Sequence, residues 1–341
     1  MRRLGFAAIA LFAAAALSAS SASAADPVRV RAGYIPVLGS GQLFVVDQQG
    51  WAKQNNIALT TTQFDSGPNM IQALASGTLE AYVGGVGPLL VARGKGIKVK
   101  VVAALATEEL VLVAGGSFAK AVAAGKTPKQ VIEEAAAAGK KIKISTQPAG
   151  SVPQTVLLYW LVKVAGIDLS KVEIVPMGID ATQQALLAGA VDAGTIREPA
   201  VTIVQKRDPN ARVVVSGAGM FPAQPGSVLA LTEDFMAKQP AAALALVNDF
   251  IRATQLLQSD PKAAAPSLGA ALGRGIVDEE TLVSAIKSPN QKFGADPQVI
   301  VASTDEMQRF QKEQGVLDKV IPIEELFDRS LFVKASAQQK K

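Results

Sequence analysis

The sequence predicts an α/β protein of two similar lobes facing each other across a cleft and joined by two crossings of the chain. Three observations carry this. Strand-like and helix-like segments alternate through most of the chain. A ten-residue pattern occurs twice, 112 positions apart: Gln72-Ala73-Leu74-Ala75-Ser76-Gly77-Thr78-Leu79-Glu80-Ala81, then Gln184-Ala185-Leu186-Leu187-Ala188-Gly189-Ala190-Val191-Asp192-Ala193. Five positions are identical and an acid matches an acid. Two apolar stretches, 110–114 and 226–232, lie where the chain would leave the first set of elements and later return to it.

Each element has a local reason. Val28-Arg29-Val30-Arg31-Ala32-Gly33-Tyr34 alternates as a strand, 42–54 reads as a helix, and 57–63 is a threonine-rich strand. In Phe64-Asp65-Ser66-Gly67-Pro68, Ser66 or Gly67 can cap a helix whose first turn accepts proline. That helix stops at Gly77, which can turn left-handed without steric penalty. A short apolar strand, 79–83, leads into the turn Gly84-Gly85-Val86-Gly87-Pro88, and 99–105 closes the set.

The plan then repeats. Thr127-Pro128 starts a helix, 141–145 is a strand, and Ser151-Val152-Pro153-Gln154 reads as a capping box before a helix running to 164. A strand at 172–175 precedes Asp180-Ala181-Thr182-Gln183, which reads as a second capping box. The second copy stops at Gly189, and its strand, 191–196, ends in Ile196-Arg197-Glu198-Pro199. After a strand at 212–215, the chain from Glu233 reads as helices broken at Gln239-Pro240, Asp260-Pro261 and Asp296-Pro297. The expected lobes are 25–107 plus 227–341, and 108–226.

The ends and the composition bound the function. Arg2 and Arg3 precede an apolar run too short to span a bilayer, and Ala22-Ser23-Ala24 fits a signal cleavage rule, so 1–24 reads as a cleavable secretory signal. Paired arginines also begin twin-arginine signals, but the residues around these fit general secretion better. No later window is long and apolar enough for a membrane span. The chain has no cysteine and no histidine. That removes disulfides, thiolate chemistry, a lipid-anchor cysteine, and imidazole as base or ligand. No metal, cofactor or catalytic residue is expected. Lys+Arg number 34 against 29 Asp+Glu, and removing the two signal arginines leaves about +3. With few aromatics and no basic run, nucleic acid is not an expected partner.

The residues resemble a known family, the periplasmic solute-binding proteins of ABC importers, in the branch that takes alkanesulfonates, taurine, nitrate and thiamine precursors. The carriers are Ser66-Gly67, the two repeat copies, Val83-Gly84-Gly85-Val86-Gly87-Pro88, Lys98-Val99-Lys100-Val101-Val102-Ala103, Gly150-Ser151, Glu198-Pro199 and Ile323-Glu324-Glu325-Leu326-Phe327-Asp328. The resemblance implies the type II periplasmic-binding architecture: two Rossmann-like lobes, a hinge of two crossovers and a ligand cleft between them. It further implies a monomeric periplasmic receptor, not an enzyme. Such a receptor traps a small polar or anionic organic solute by hinge closure and delivers it to an ABC permease in the inner membrane. An aliphatic sulfonate or taurine-like solute is the leading expectation, with nitrate, bicarbonate or a thiamine-precursor pyrimidine as alternatives. A sensor feeding a signalling receptor is a second class. Enzymes of the pyrimidine-precursor or menaquinone type are a third, but those lean on histidine or cysteine absent here.

In open α/β sheets ligands sit at the carboxyl ends of strands, where helix N-termini offer unpaired N–H groups. This nominates Ser66, Gly67, Gly84, Gly85, Val86, Gly150 and Ser151 as ligand contacts. Arg197 and Glu198 are the chemically pointed pair, with Glu198 favoured at the ligand and Arg197 in a contact between lobes. An aromatic commonly precedes the acid in the family; here it is Arg197. Tyr34 could stack on a ligand, and Thr107 lies where hinge and cleft edge meet.

Overall fold

The computed structural model describes residues 26–272 and 277–339, so the expected export signal at 1–24 lies outside the described residues. Two five-stranded sheets organise the chain. The first contains β1 (Val28–Tyr34), β2 (Ile57–Gln63), β3 (Ala81–Gly85), β4 (Val99–Ala104) and β11 (Ser227–Thr232), in the order β2-β1-β3-β11-β4. The second contains β6 (Val111–Ala114), β7 (Ile142–Thr146), β8 (Val172–Pro176), β9 (Ala193–Ile196) and β10 (Arg212–Val215), in the order β10-β6-β9-β7-β8. A small ladder pairs β5 (Ala106–Thr107) with β12 (Lys292–Phe293) beside the first crossing.

The sheets share one topology. Each has its second, first and third strands in parallel succession, and then an antiparallel strand brought in by a crossing: β11 in the first sheet, β6 in the second. The two-lobed α/β class expected from the sequence is the one found. The strands are apolar because helices cover both faces: Val83, Val101, Val113 and Ala193 are fully buried. Removing a valine-sized side chain from water stabilises by about 1.5–3 kcal/mol.

The repeat is structural down to single hydrogen bonds. Both copies are helices, Gly67–Ala75 and Ile179–Leu187, followed by glycines with φ of 70° and 67° at Gly77 and Gly189. The matched acids do the same work. Glu80 Oε2 accepts from the Arg31 N–H at 2.8 Å, and Asp192 Oδ2 accepts from the Lys143 N–H at 2.8 Å. Their own N–H groups return bonds to the carbonyls of Arg31 and Lys143. Each acid thereby fastens the end of a helix to the central parallel strand of its sheet, β1 in one and β7 in the other. Burial pushes the Glu80 carboxyl up, but hydrogen bonds from Arg31 outweigh this and hold it below its ordinary value.

Local departures from the sequence reading have simple causes. The helix expected at 42–54 is two, Gly41–Gln48 and Trp51–Gln54, because Gly50 sits at φ 67° between them. The second capping box does not form. The helix begins at Gly178, which caps with no side chain, and Asp180 lies inside its first turn. At Ser151 the box forms with a shifted arm: Ser151 Oγ accepts from the Gln154 N–H at 3.3 Å, while Gln154 Oε1 reaches back to Gly150 N at 3.2 Å. Among the described residues no helix is long and apolar enough to cross a membrane.

Glu80→Ala and Asp192→Ala should each destabilise the fold by about 1–3 kcal/mol, the cost of stranding a strand N–H without its acceptor. Urea denaturation of the two variants checks this. Losses within about 1 kcal/mol of one another are expected, because the extra Arg31–Glu80 ion pair is partly exposed.

Candidate functional site

The helices that open the two repeat copies begin at the same cleft. Ser66 caps the first and Gly178 the second, and the Gly178 Cα faces Asp65 closely enough that an added Cβ would lie 4.0 Å from the Asp65 Cβ. A cavity of about 390 Å³ lies between them, walled by Pro36, Asp65, Ser66 and Asn69 from one lobe and by Pro148, Gly178 and Asp180 from the other. Pro36 and Pro148, like Ser66 and Gly178, are 112 positions apart, so equivalent loops of the two lobes meet across this space. A second cavity of about 400 Å³ shares Pro36, Ile179 and Asp180 with the first and extends to Gln63, Gln183, Glu198, Ile203 and Leu272. Both cavities are walled by both lobes.

The Ser66 hydroxyl is 1% exposed and has no hydrogen-bond partner, although it caps a helix. Buried hydroxyls are normally paired. On the opposite lobe Ser145 and Thr182, packed around Gly194, also carry unpartnered buried hydroxyls.

Arg197 and Glu198 divide their roles. Arg197 Nη1 meets Glu109 Oε1 at 2.8 Å, and the Ser227 hydroxyl donates to the same oxygen at 2.7 Å while accepting from Arg197 at 3.3 Å. Glu109 lies on the first crossing and Ser227 at the start of the strand after the second, so this buried triad ties the second lobe to both crossings. There is no room for anything larger than glycine beside it. A Cβ at Gly39 would lie 2.3 Å from Glu109 Oε2, and one at Gly226 would lie 2.5 Å from the Ala106 carbonyl oxygen. Gln224 locks the crossings together, donating to the Leu110 and Gly217 carbonyls and accepting from Leu110 N.

Glu198 faces the second cavity. Its Oε2 accepts from Thr202 N at 3.1 Å, and its carbonyl accepts from Leu38 N of the other lobe at 3.0 Å. Burial pushes its carboxyl above the ordinary value, against hydrogen bonds from Ser288 and Thr202 that pull it back. The Glu198–Pro199 peptide bond is cis.

The other nominated residues lie elsewhere. Gly84, Gly85 and Val86 are buried, and the Val152 side chain fills the place a Cβ would take at Gly85, only 2.8 Å away. The glycine turn therefore lets the lobes approach at the cleft floor, where Gly150 and Ser151 pack against it. A Cβ at Gly87 would lie 3.1 Å from the Gly150 carbonyl oxygen. Gly67 admits Pro88 and the Tyr82 hydroxyl, each 2.6 Å from its would-be Cβ. Tyr34 stands edge-on to Phe44 at 5.1 Å, with its hydroxyl 3.5 Å from Gln63 Oε1. Thr107 pairs with Lys292 in the small ladder. The brought-together set is thus Ser66, Arg197 and Glu198, joined by Pro36, Asp65, Gly178 and Asp180, which sequence reasoning passed over. The 112-residue offset could have found Gly178 and Pro148, by carrying Ser66 and Pro36 forward.

A model of the NMT1-like family matches residues 23–271. A binding protein of Brucella abortus (strain 2308) is 24% identical over 217 residues, and the matched region spans 62% of this chain and 62% of that relative's length. The chain superposes on the periplasmic nitrate-binding protein NrtA from Synechocystis PCC 6803 with a TM-score of 0.78 at 15% identity, covering 92% of this chain and 89% of the other. Against the periplasmic aliphatic sulphonate binding protein SsuA from Escherichia coli the TM-score is 0.70 at 19% identity, over 89% and 92%. The desulfurization enzyme DszB shares the fold at a TM-score of 0.61 and 14% identity, over 92% and 99%. At these identities the likeness is one of fold.

Two outcomes are expected at the site. Arg197→Met should destabilise by about 3–5 kcal/mol, because it strands a buried carboxylate, while Arg197→Met with Glu109→Leu should recover most of that loss. Urea denaturation of both variants reads the difference. Glu198 binds more protons folded than unfolded between its ordinary and raised pKa, so its contribution to stability falls as pH rises through that window. Glu198→Gln keeps an acceptor for Thr202 N and should flatten that part of a pH series of melting temperatures.

Proposed function

The chain belongs to the NMT1-like family, and on that footing we propose that it is the substrate-binding component of an ABC import system. In this reading a small polar organic solute enters the cleft, 25–107 plus 227–341 closes against 108–226, and the closed form delivers the solute to a membrane permease. The protein works as an exported monomer in the periplasm. The observation that carries the reading is the pair of adjoining cavities, about 390 and 400 Å³, each walled by both lobes. A solute held there contacts both lobes only when they are together, so its binding energy favours the closed form, and that differential affinity is the whole drive for closure.

Contacts across the cleft support this view. Gln311 donates to Thr155 at 3.0 Å at the floor. At the rim Lys206, on the helix Ala200–Arg207, reaches Asp278 Oδ2 at 3.1 Å and the Thr281 hydroxyl at 2.8 Å. Backbone and side-chain hydrogen bonds with Thr281, aided by Lys206, hold the Asp278 carboxyl down at about 2. No bond is broken in this cycle, and neither cysteine nor histidine is available for nucleophilic or general-base work. The fold's occurrence in a desulfurization enzyme makes turnover the informative counter-test.

Small-angle scattering of the purified protein should show a smaller radius of gyration with bound solute than without. Chemical conversion of the solute would overturn the receptor reading. Asp278→Asn should weaken solute binding by no more than about fivefold in titration calorimetry, since an exposed ion pair contributes at most about 1 kcal/mol.

A further inference from the structure

A cavity of about 570 Å³ lies away from the cleft, on the first lobe alone. Arg29 near the start of β1, Glu80 just before β3 and Thr232 at the end of the antiparallel β11 all line it. It therefore opens at the end of the sheet opposite Pro36 and Ser66, and among the described residues it shares none with the two cleft cavities.

Four cations and two acids stand in its wall: Arg29, Lys95, Lys98 and Lys238 against Glu80 and Asp234. Both acids are committed. Asp234 pairs with Lys238 at 2.9 Å, and Glu80 pairs with the Arg31 guanidinium and backbone N–H. Among the described residues Arg29, Lys95 and Lys98 are left with neither an ion pair nor a side-chain hydrogen bond. No Asp or Glu occurs at 1–25, 273–276 or 340–341 to supply one.

Helix polarity accounts for only one of the three. Lys95 follows the helix Gly87–Gly94, whose last carbonyls carry a partial negative charge of about half a unit and favour a cation there. Arg29 lies inside a strand and Lys98 immediately before one, and sheets have only small net dipoles. Like charges around one concave wall repel, and the apolar floor of Leu79, Ile97 and Phe235 focuses their potential. An anion in the cavity turns that repulsion into attraction. Arg29 offers a planar fork matched to two oxygens of one group, and the lysines offer point charges. Three cations suit a phosphate monoester, with about 1.5 to 2 negative charges at neutral pH, better than a single carboxylate.

We propose that this cavity is a binding site, separate from the cleft, for a phosphate monoester on a small organic body. Its oxygens take the Arg29 fork and the ammonium groups of Lys95 and Lys98, while its carbon body rests on Ile97 and Phe235. Free phosphate esters and the headgroup of phosphatidic acid share that chemistry.

Titration calorimetry of the purified protein with glycerol 3-phosphate tests the free ester. Co-sedimentation with phosphatidylcholine vesicles, with and without phosphatidic acid, tests the lipid. At least one should bind, about threefold or more weakly in Arg29→Gln, Lys95→Gln or Lys98→Gln and about tenfold or more weakly in the triple variant, as expected of exposed charge contacts. Lys312→Gln, on the helix Val301–Glu313, removes the same charge elsewhere and should leave binding unchanged. All four side chains are exposed, so these variants spare the core. Binding of glycerol 3-phosphate assigns the free ester, and binding confined to the phosphatidic acid vesicles assigns the lipid. No binding of either overturns the proposal, as does binding that the triple variant retains or that Lys312→Gln weakens as much as the cavity variants do. None of these outcomes touches the receptor reading, because the cavity lies outside the cleft.

Discussion

The buried bond between Arg197 and Glu109 is the constraint on which the rest of the molecule depends. Among the described residues the chain passes between the two sheets at two short crossings. Without a cross-lobe anchor the sheets could swivel about them. Arg197 comes from the end of a second-lobe strand and Glu109 from the first crossing, while Ser227, which completes the triad, opens the returning strand. The pair is fully out of water, where desolvation costs several kcal/mol per ion and only close, hydrogen-bonded geometry recovers it. Such a pair adds little net stability, but it disfavours any arrangement that separates its members. Its main product is a fixed point of attachment between the second lobe and the two crossings.

Much of this fold was legible in the sequence because duplication leaves a trace in residue types. The glycine stops at Gly77 and Gly189 and the acids Glu80 and Asp192 survive in both copies, since each has a backbone task that few other residues perform. The crossings were legible as apolar stretches, because β6 and β11 are buried in the middle of their sheets. The class and the repeat therefore followed from local chemistry.

The site was less legible, for a physical reason. Local signals describe what a residue can do, whereas a site depends on what its partner leaves undone. Arg197 reads as a contact between lobes, but its partner, Glu109, stands 88 positions away and is visible only in the fold. Gly85 and Gly150 read as places for a ligand to approach a backbone, yet the approaching groups are side chains of the opposite lobe, Val152 at Gly85 and Val316 and Val91 at Gly150. Asp180 reads as one arm of a capping box, but the helix starts two residues earlier at Gly178 and frees the carboxylate to face the cavity. For Arg197 and the two glycines the neighbour that decides the outcome lies far away in sequence, whereas for Asp180 it is the cap two residues earlier.

The two ends of the cleft differ in kind, and that difference determines where the lobes can part. At the floor Val86, Leu89, Val152, Val156 and Met307 form one continuous apolar cluster spanning both lobes. Each such side chain contributes about 1.5–3 kcal/mol by staying dry, so separating the floor would cost more than a small solute could return. At the rim the lobes meet through Lys206, Asp278 and Thr281, side chains whose exposed pairing contributes about 1 kcal/mol or less. In the proposed receptor cycle, opening would therefore break the rim contacts and keep the apolar floor and the Arg197 triad intact.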